Sequence, residues 1–204
     1  MRAACLIILF VFYTNIFQAQ SFEKGTKVFY VGSAASSRYF DSNFFQDKTE
    51  EYYKSPIVSI GMDYCFTIIR EVSNSRLGIG PYFSCWTAIH NYTDDKNNRW
   101  ENRWTDFFAA VRLTHHLTYF VRKKLDMCSG IIIGARYKHY HYIEKESQGI
   151  PNDYRKQQFY PAIGITASMR YYFYKNIGVF GEFSLGYKTD MYLFGLAFKL
   201  QSSN

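Results

Sequence analysis

From residue 56 onward the chain is written on a period of two. Tyr192, Phe194, Leu196, Phe198 and Leu200 alternate with Leu193, Gly195, Ala197 and Lys199. Just upstream, Ile177, Val179, Gly181, Phe183, Leu185 and Tyr187 alternate with Gly178, Phe180, Glu182, Ser184 and Gly186. Apolar side chains on every second position share one face of a strand, whereas a helix needs a period near 3.6. Only "KTDM" separates the two runs, so they predict a tight hairpin. The alternation recurs over 157–173, 127–143, 103–119, 77–89 and 56–69. It is faint over 26–36, where "KVFYVGSAASS" alternates poorly. The pattern predicts eight strands. Short connections fall near 70–76, 120–126 and 174–176, and longer polar ones near 37–54, 91–102 and 144–156, with 188–190 a short member of the second set. An even strand count with short turns at one end and long loops at the other predicts an all-β, eight-stranded antiparallel up-and-down transmembrane β-barrel, both chain ends on the short-turn side.

The two faces of these strands differ in bulk. One carries Phe, Tyr, Ile and Leu; the other carries Gly61, Gly78, Gly80, Gly130, Gly134 and Gly164 among others. Eight strands enclose room for side chains but not for an aqueous channel. The slender face is therefore expected inside and the bulky face outside, against lipid. The slender face also carries Asp63, Asp106, Arg112, Arg136, Lys138, Arg170, Glu182 and Lys199. Facing lipid at mid-depth, each Arg or Lys would cost ~2–4 kcal/mol; turned inward, the ions can neutralise one another. Strand heights suggest Glu182 with Arg170, and Asp106 with Lys138 or Arg136. The aromatics are then expected as belts at the two water–lipid boundaries: Tyr119, Tyr171, Phe173 and Phe198 near the short turns, Tyr137 and Tyr192 toward the long loops.

Composition adjusts this picture at the margins. Aromatics make up 20% of the 204 residues, which a barrel girdled at both interfaces accounts for. Mean hydropathy is −0.26, but averaging over a window hides alternating strands. The net charge of +7 is spread along the chain, which argues against nucleic acid and suits lipopolysaccharide and other anionic head groups. "MRAACLIILFVFYTNIFQAQ" has a positive start, a short apolar core and a polar end, the layout of a secretory signal peptide over 1–20 cleaved after Ala19 or Gln20. The barrel domain then spans 21–204. Cys65, Cys85 and Cys128 remain; their strand phases put Cys85 on the opposite face from the other two, so no disulfide is expected.

The closing segments, "MRYYFYKNIGVFGEFSLGY" and "MYLFGLAFKL", resemble the last hairpin of a small outer-membrane β-barrel family of Bacteroidetes-type bacteria. That family shares its plan with the OmpA transmembrane domain and the OmpX/OmpW-like barrels. The resemblance is firm over 159–200 and architectural over 25–158. It implies an outer-membrane location in a Gram-negative cell with both chain ends in the periplasm, and a final strand read by the barrel-insertion machinery. It implies no ligand.

Signals for chemistry are sparse. His139 and His141 form an H-x-H pair with Glu144 and Glu146 nearby, but no third metal ligand is specified. His115 and His116 point to opposite faces. Ser184 and His116 have no recognisable catalytic partners, and no G-x-S-x-G elbow, phosphate loop or dinucleotide fingerprint occurs. No enzyme, metal or cofactor is expected. The loops "RYFDSNFFQDKTEEYYK" and "NYTDDKNNRWENRW", the latter with Trp100 and Trp104, mix aromatics with both charges; they are expected as a solvated rim whose basic residues meet lipopolysaccharide phosphates, with a surface for a protein or a glycan as the alternative. The expectation is a monomeric barrel with a plugged polar interior and a structural or surface-interaction role. The alternatives are a secreted or periplasmic lipocalin-like ligand-binding barrel and an accessory subunit of a secretion or uptake complex.

Overall fold

The computed structural model describes residues 22, 24–35, 51–69, 75–93, 98–116, 124–146 and 153–200. The expected signal peptide, Tyr119 and most of the first long loop lie outside them. The described chain is all-β: β1 (Lys27–Ala35), β2 (Glu51–Lys54), β3 (Ile57–Ile69), β4 (Ser75–Thr93), β5 (Arg99–His116), β6 (Leu125–Glu146), β7 (Asp153–Tyr172), β8 (Ile177–Tyr187) and β9 (Tyr192–Leu200). Each pairs antiparallel with its neighbours in one sheet. Contact of β4 with β5, from Arg76↔His116 to Thr93↔Arg99, closes the sheet into a ring.

Nine elements occupy eight places. β2 and β3 both pair with β4, β2 opposite Ala88–Asn91 and β3 opposite Ser75–Cys85. They are one strand interrupted at Ser55-Pro56. Proline has no N–H to offer a ladder, and Ser55 bridges the break: its backbone N–H donates to Thr87 O and its hydroxyl accepts from Thr87 N–H, both at 2.9 Å. β1 joins β9 with Lys27 opposite Leu200. Both ends of the described barrel thus emerge at the rim that carries the short turns.

The strands of one half outrun the expected boundaries. Residues 91–93 and 99–102, and likewise 144–146 and 153–156, belong to paired strands rather than loops, and 51–54 forms β2. Their ladders hold up to Thr93↔Arg99 and Ile143↔Asp153. Here both faces carry polar and aromatic side chains, so the apolar alternation fades although the backbone bonding continues. A tilted membrane strand needs ~9–11 residues, and β4 to β7 have 18 to 22. About ten surplus residues at ~3.3 Å each, tilted by ~40°, raise this half-ring roughly 25 Å above the barrel proper.

Burial follows the alternation. β9 reads exposed and covered by turns, with Leu193, Ala197 and Lys199 inside and Phe194, Leu196 and Phe198 outside. The interior is not uniformly slender, however. Tyr30, Tyr82, Phe108, Tyr172 and Phe180 point inward and are buried. Glycines make the space for such groups: a Cβ on Gly61 would occupy the Tyr30 ring. The poor alternation of β1 has the same origin, since Val28, Tyr30 and Ala34 face in while Ser33 faces out.

Candidate functional site

Three tiers of polar side chains line the lumen. At the short-turn mouth, Phe22 stacks on the His116 ring with centroids 3.7 Å apart. His116 Nδ1 lies 2.8 Å from Asp126 Oδ1 and its Nε2 lies 3.2 Å from Thr114 Oγ1. His116 therefore has partners that its strand position did not disclose. Asp126 accepts in turn from Arg170 at 3.2 Å, and Arg170 also pairs with Asp63.

The middle tier centres on Tyr30. Arg112 donates to the Tyr30 hydroxyl and to Glu182 Oε2, both at 2.5 Å, and its guanidinium lies 5.0 Å from the Tyr30 ring centroid. The ring also meets Arg170 at 5.9 Å. The expected Glu182–Arg170 pair does not form. Ser168, not Arg170, stands opposite Glu182 on β7, and Arg170 is aligned with Phe180. The lumen is narrow enough for β5 to reach β8 across it, so Glu182 takes Arg112 and Arg170 takes Asp63 of β3. Pairing rules for adjacent strands do not describe a closed cylinder. Lys199 is buried with Nζ 4.5 Å from the Tyr172 ring centroid.

In the upper tier Asp106 lies within 3.6 Å of Arg136 Nε and 3.4 Å of Lys138 Nζ, on the neighbouring strand. A residue that the alternation does not reach completes this tier. Asp190, in the β8–β9 turn, is buried and accepts hydrogen bonds from Tyr82 Oη at 2.8 Å, Ser84 Oγ at 2.6 Å and Arg136. The turn folds its carboxylate down into the barrel, and nothing in "KTDM" distinguishes that from an exposed turn acid. Across the tiers, Arg112, Arg136, Lys138, Arg170 and Lys199 match Asp63, Asp106, Asp126, Glu182 and Asp190 in number.

On the outer wall, Tyr171, Phe173 and Phe198 are exposed near the short turns, and Tyr192 is exposed at the far end of β9. Tyr137 is half-buried and stacks on Phe107 at 6.5 Å. Between them stand Val58, Ile60, Val111, Ile133, Ile163, Ile165 and Leu196, all exposed. Cys85 shares this outer face, whereas Cys65 and Cys128 are buried, and none of the three forms a disulfide.

From the level of the upper tier, where Trp86 stands opposite Asp106, the lumen-side positions of the raised half-ring become aromatic. Trp86, His90, Tyr92, Trp100 and Trp104 line its inner face and are partly covered. Trp100 and Trp104 thus lie in β5, not in a loop. His139 and His141 lie on β6 with ring centroids 6.2 Å apart. His141 Nε2 is 2.9 Å from Asp153 Oδ1, and Arg155 donates to the same carboxylate at 3.2 Å. Desolvation opposes the shift, but these hydrogen bonds hold the Asp153 carboxyl below its ordinary value. No group of three or more potential metal ligands occurs among the described residues.

No family model matches the sequence, and no curated protein matches it. Solved structures do match in shape. Ail, the attachment invasion locus protein of Yersinia pestis, covers 87% of this chain and 100% of its own, at TM-score 0.50 and 7% identity. The chain shares the fold of this small barrel. Ail in complex with the heparin analogue sucrose octasulfate gives a TM-score of 0.49 at 9% identity over the same shares. The N-terminal β-barrel domain of Pseudomonas aeruginosa OprF covers 87% of this chain and 98% of its own, at TM-score 0.38 and 12% identity. At such identities the likeness speaks to fold alone.

Proposed function

We propose that the protein is an outer-membrane β-barrel with a plugged interior and a structural or surface-interaction role. One observation carries this reading. The ionised side chains lie inside at a few per cent exposure, while Ile165, Phe194, Val111 and Ile133 stand outside at 53–61%. In water that arrangement would expose the apolar wall and bury the ions; in a bilayer both faces are matched. A lipocalin-like barrel would need the reverse, an apolar lumen and a polar wall. The leader over 1–20 would direct export, both ends would lie in the periplasm, and the raised half-ring would stand outside the cell near lipopolysaccharide. On this reading the polar tiers plug the barrel, so free conduction is not expected, and no catalytic role is assigned. The barrel is read as a monomer.

The test is expression in a Gram-negative host, followed by membrane fractionation and electrophoresis with and without boiling. The protein should fractionate with the outer membrane and migrate faster unboiled. Recovery in the soluble periplasm with no heat-dependent mobility would refute the proposal. Mild crosslinking on intact cells would reveal an accessory role as a stoichiometric partner.

A further inference from the structure

The raised half-ring forms a cup above the ion-paired tiers, and its inner wall has an unusual composition. All three tryptophans of the chain, Trp86, Trp100 and Trp104, stand on lumen-side positions there. Trp104 lies nearly parallel to His90, 6.1 Å between centroids and 16° between planes, and Trp100 to Tyr92 at 6.4 Å and 11°. These separations are at the wide end of the stacked range, so the rings tile the wall. Every one of them is partly accessible.

Polar groups between the rings are left unsatisfied. Asn102 stands between Trp100 and Trp104, opposite His90 and Tyr142, and is only 8% exposed. Its Oδ1 accepts no hydrogen bond, and Trp86 Nε1 donates none. A buried polar atom without a partner is destabilising, so its presence here calls for an explanation. Asn102 stands on a lumen-side position and its terminal amide torsion is soft, so the amide can turn to meet a ligand. Charges of both signs stand nearby: Lys54, whose Nζ is 5.2 Å from the Trp86 ring centroid, Lys156, opposite Tyr140, and Glu144, opposite Trp100.

Flat aromatic side chains, an amide oxygen and an indole N–H without protein partners, and charges of both signs suit one class of ligand. Saccharide rings present C–H faces for the aromatics and hydroxyls that donate and accept together. We infer that the cup is a binding site for a neutral oligosaccharide, with the three tryptophans as stacking surfaces and Asn102 as a specificity residue. This rests on the surface-interaction reading above and deepens it.

Because every tryptophan lies in the cup, intrinsic fluorescence reports on it directly. Full-length protein in a detergent without a sugar head group would be titrated with maltotriose, cellotriose and chitotriose, up to about 100 mM, a hundredfold above a ~1 mM dissociation constant. At least one should shift the emission saturably. Asn102→Leu should weaken binding roughly tenfold, the value of one hydrogen bond, without lowering the urea midpoint, since no bond is lost within the protein. Trp104→Ala should abolish or strongly weaken the response. Absence of a saturable shift with all three sugars overturns the inference. So does a response to sucrose octasulfate or to a tyrosine-rich tripeptide alone, or one that appears only after residues 36–50 are deleted, which would make that loop the occupant. The unboiled mobility of the same sample reads the membrane proposal separately.

Discussion

Replacing Glu182 by Gln tests the lumen most directly. The Arg112–Glu182 pair is 2.5 Å long, with side chains 1% and 3% exposed. Gln keeps the volume and one acceptor oxygen but removes the charge. Arg112 would retain the Tyr30 hydroxyl and lose its counter-ion in a place that water does not reach. Breaking a buried pair from one side costs ~3–5 kcal/mol, because the remaining charge is uncompensated. Replacing both partners by apolar groups of similar size is often neutral or stabilising by ~1–4 kcal/mol. Glu182→Gln alone should therefore lower stability by about 3 kcal/mol, and Glu182→Leu with Arg112→Met should recover most of it. With a urea dependence of ~1–3 kcal/mol per molar, the single variant should unfold on the order of 1–3 M earlier. Tryptophan fluorescence and the heat-dependent gel shift, both in detergent micelles, would follow the transition. An unchanged midpoint for the single variant, or a double variant as unstable as the single, would refute the view that paired ions hold the lumen closed.

Three other outcomes follow from the same geometry. Ile165→Arg, on the exposed wall, should cost ~2–4 kcal/mol of stability in lipid vesicles, whereas Gln157→Arg on the raised part of β7 should cost almost nothing; equal effects would place no lipid against Ile165. Gly80→Val should prevent a heat-modifiable barrel from forming, because a Cβ there meets the Met62 carbonyl of the adjoining strand, and backbone cannot move aside as a side-chain tip can. Mass spectrometry after treatment with a small apolar maleimide should find label on Cys85 in the folded protein, and on Cys65 and Cys128 only after denaturation, as their burial requires.

The alternation of side chains was sufficient for the strand order, the closure and the assignment of faces, because a strand has only two sides and a small cylinder accepts bulk on one of them. Phe194, Leu196 and Phe198 could not all share a narrow axis, and Arg112, Arg170 and Glu182 could not all face hydrocarbon. The ions were legible in the same way; their partners were not. Which acid meets which base depends on the reach across the lumen, so Glu182 found Arg112 on β5 rather than a neighbour on β7. Asp190 enters the lumen from a turn, where no alternation exists to announce it. The raised half-ring escaped notice for a related reason. Where both faces carry polar and aromatic side chains the sequence loses its apolar period, while backbone hydrogen bonds, which no side chain records, carry the strands on to Thr93 and Glu146.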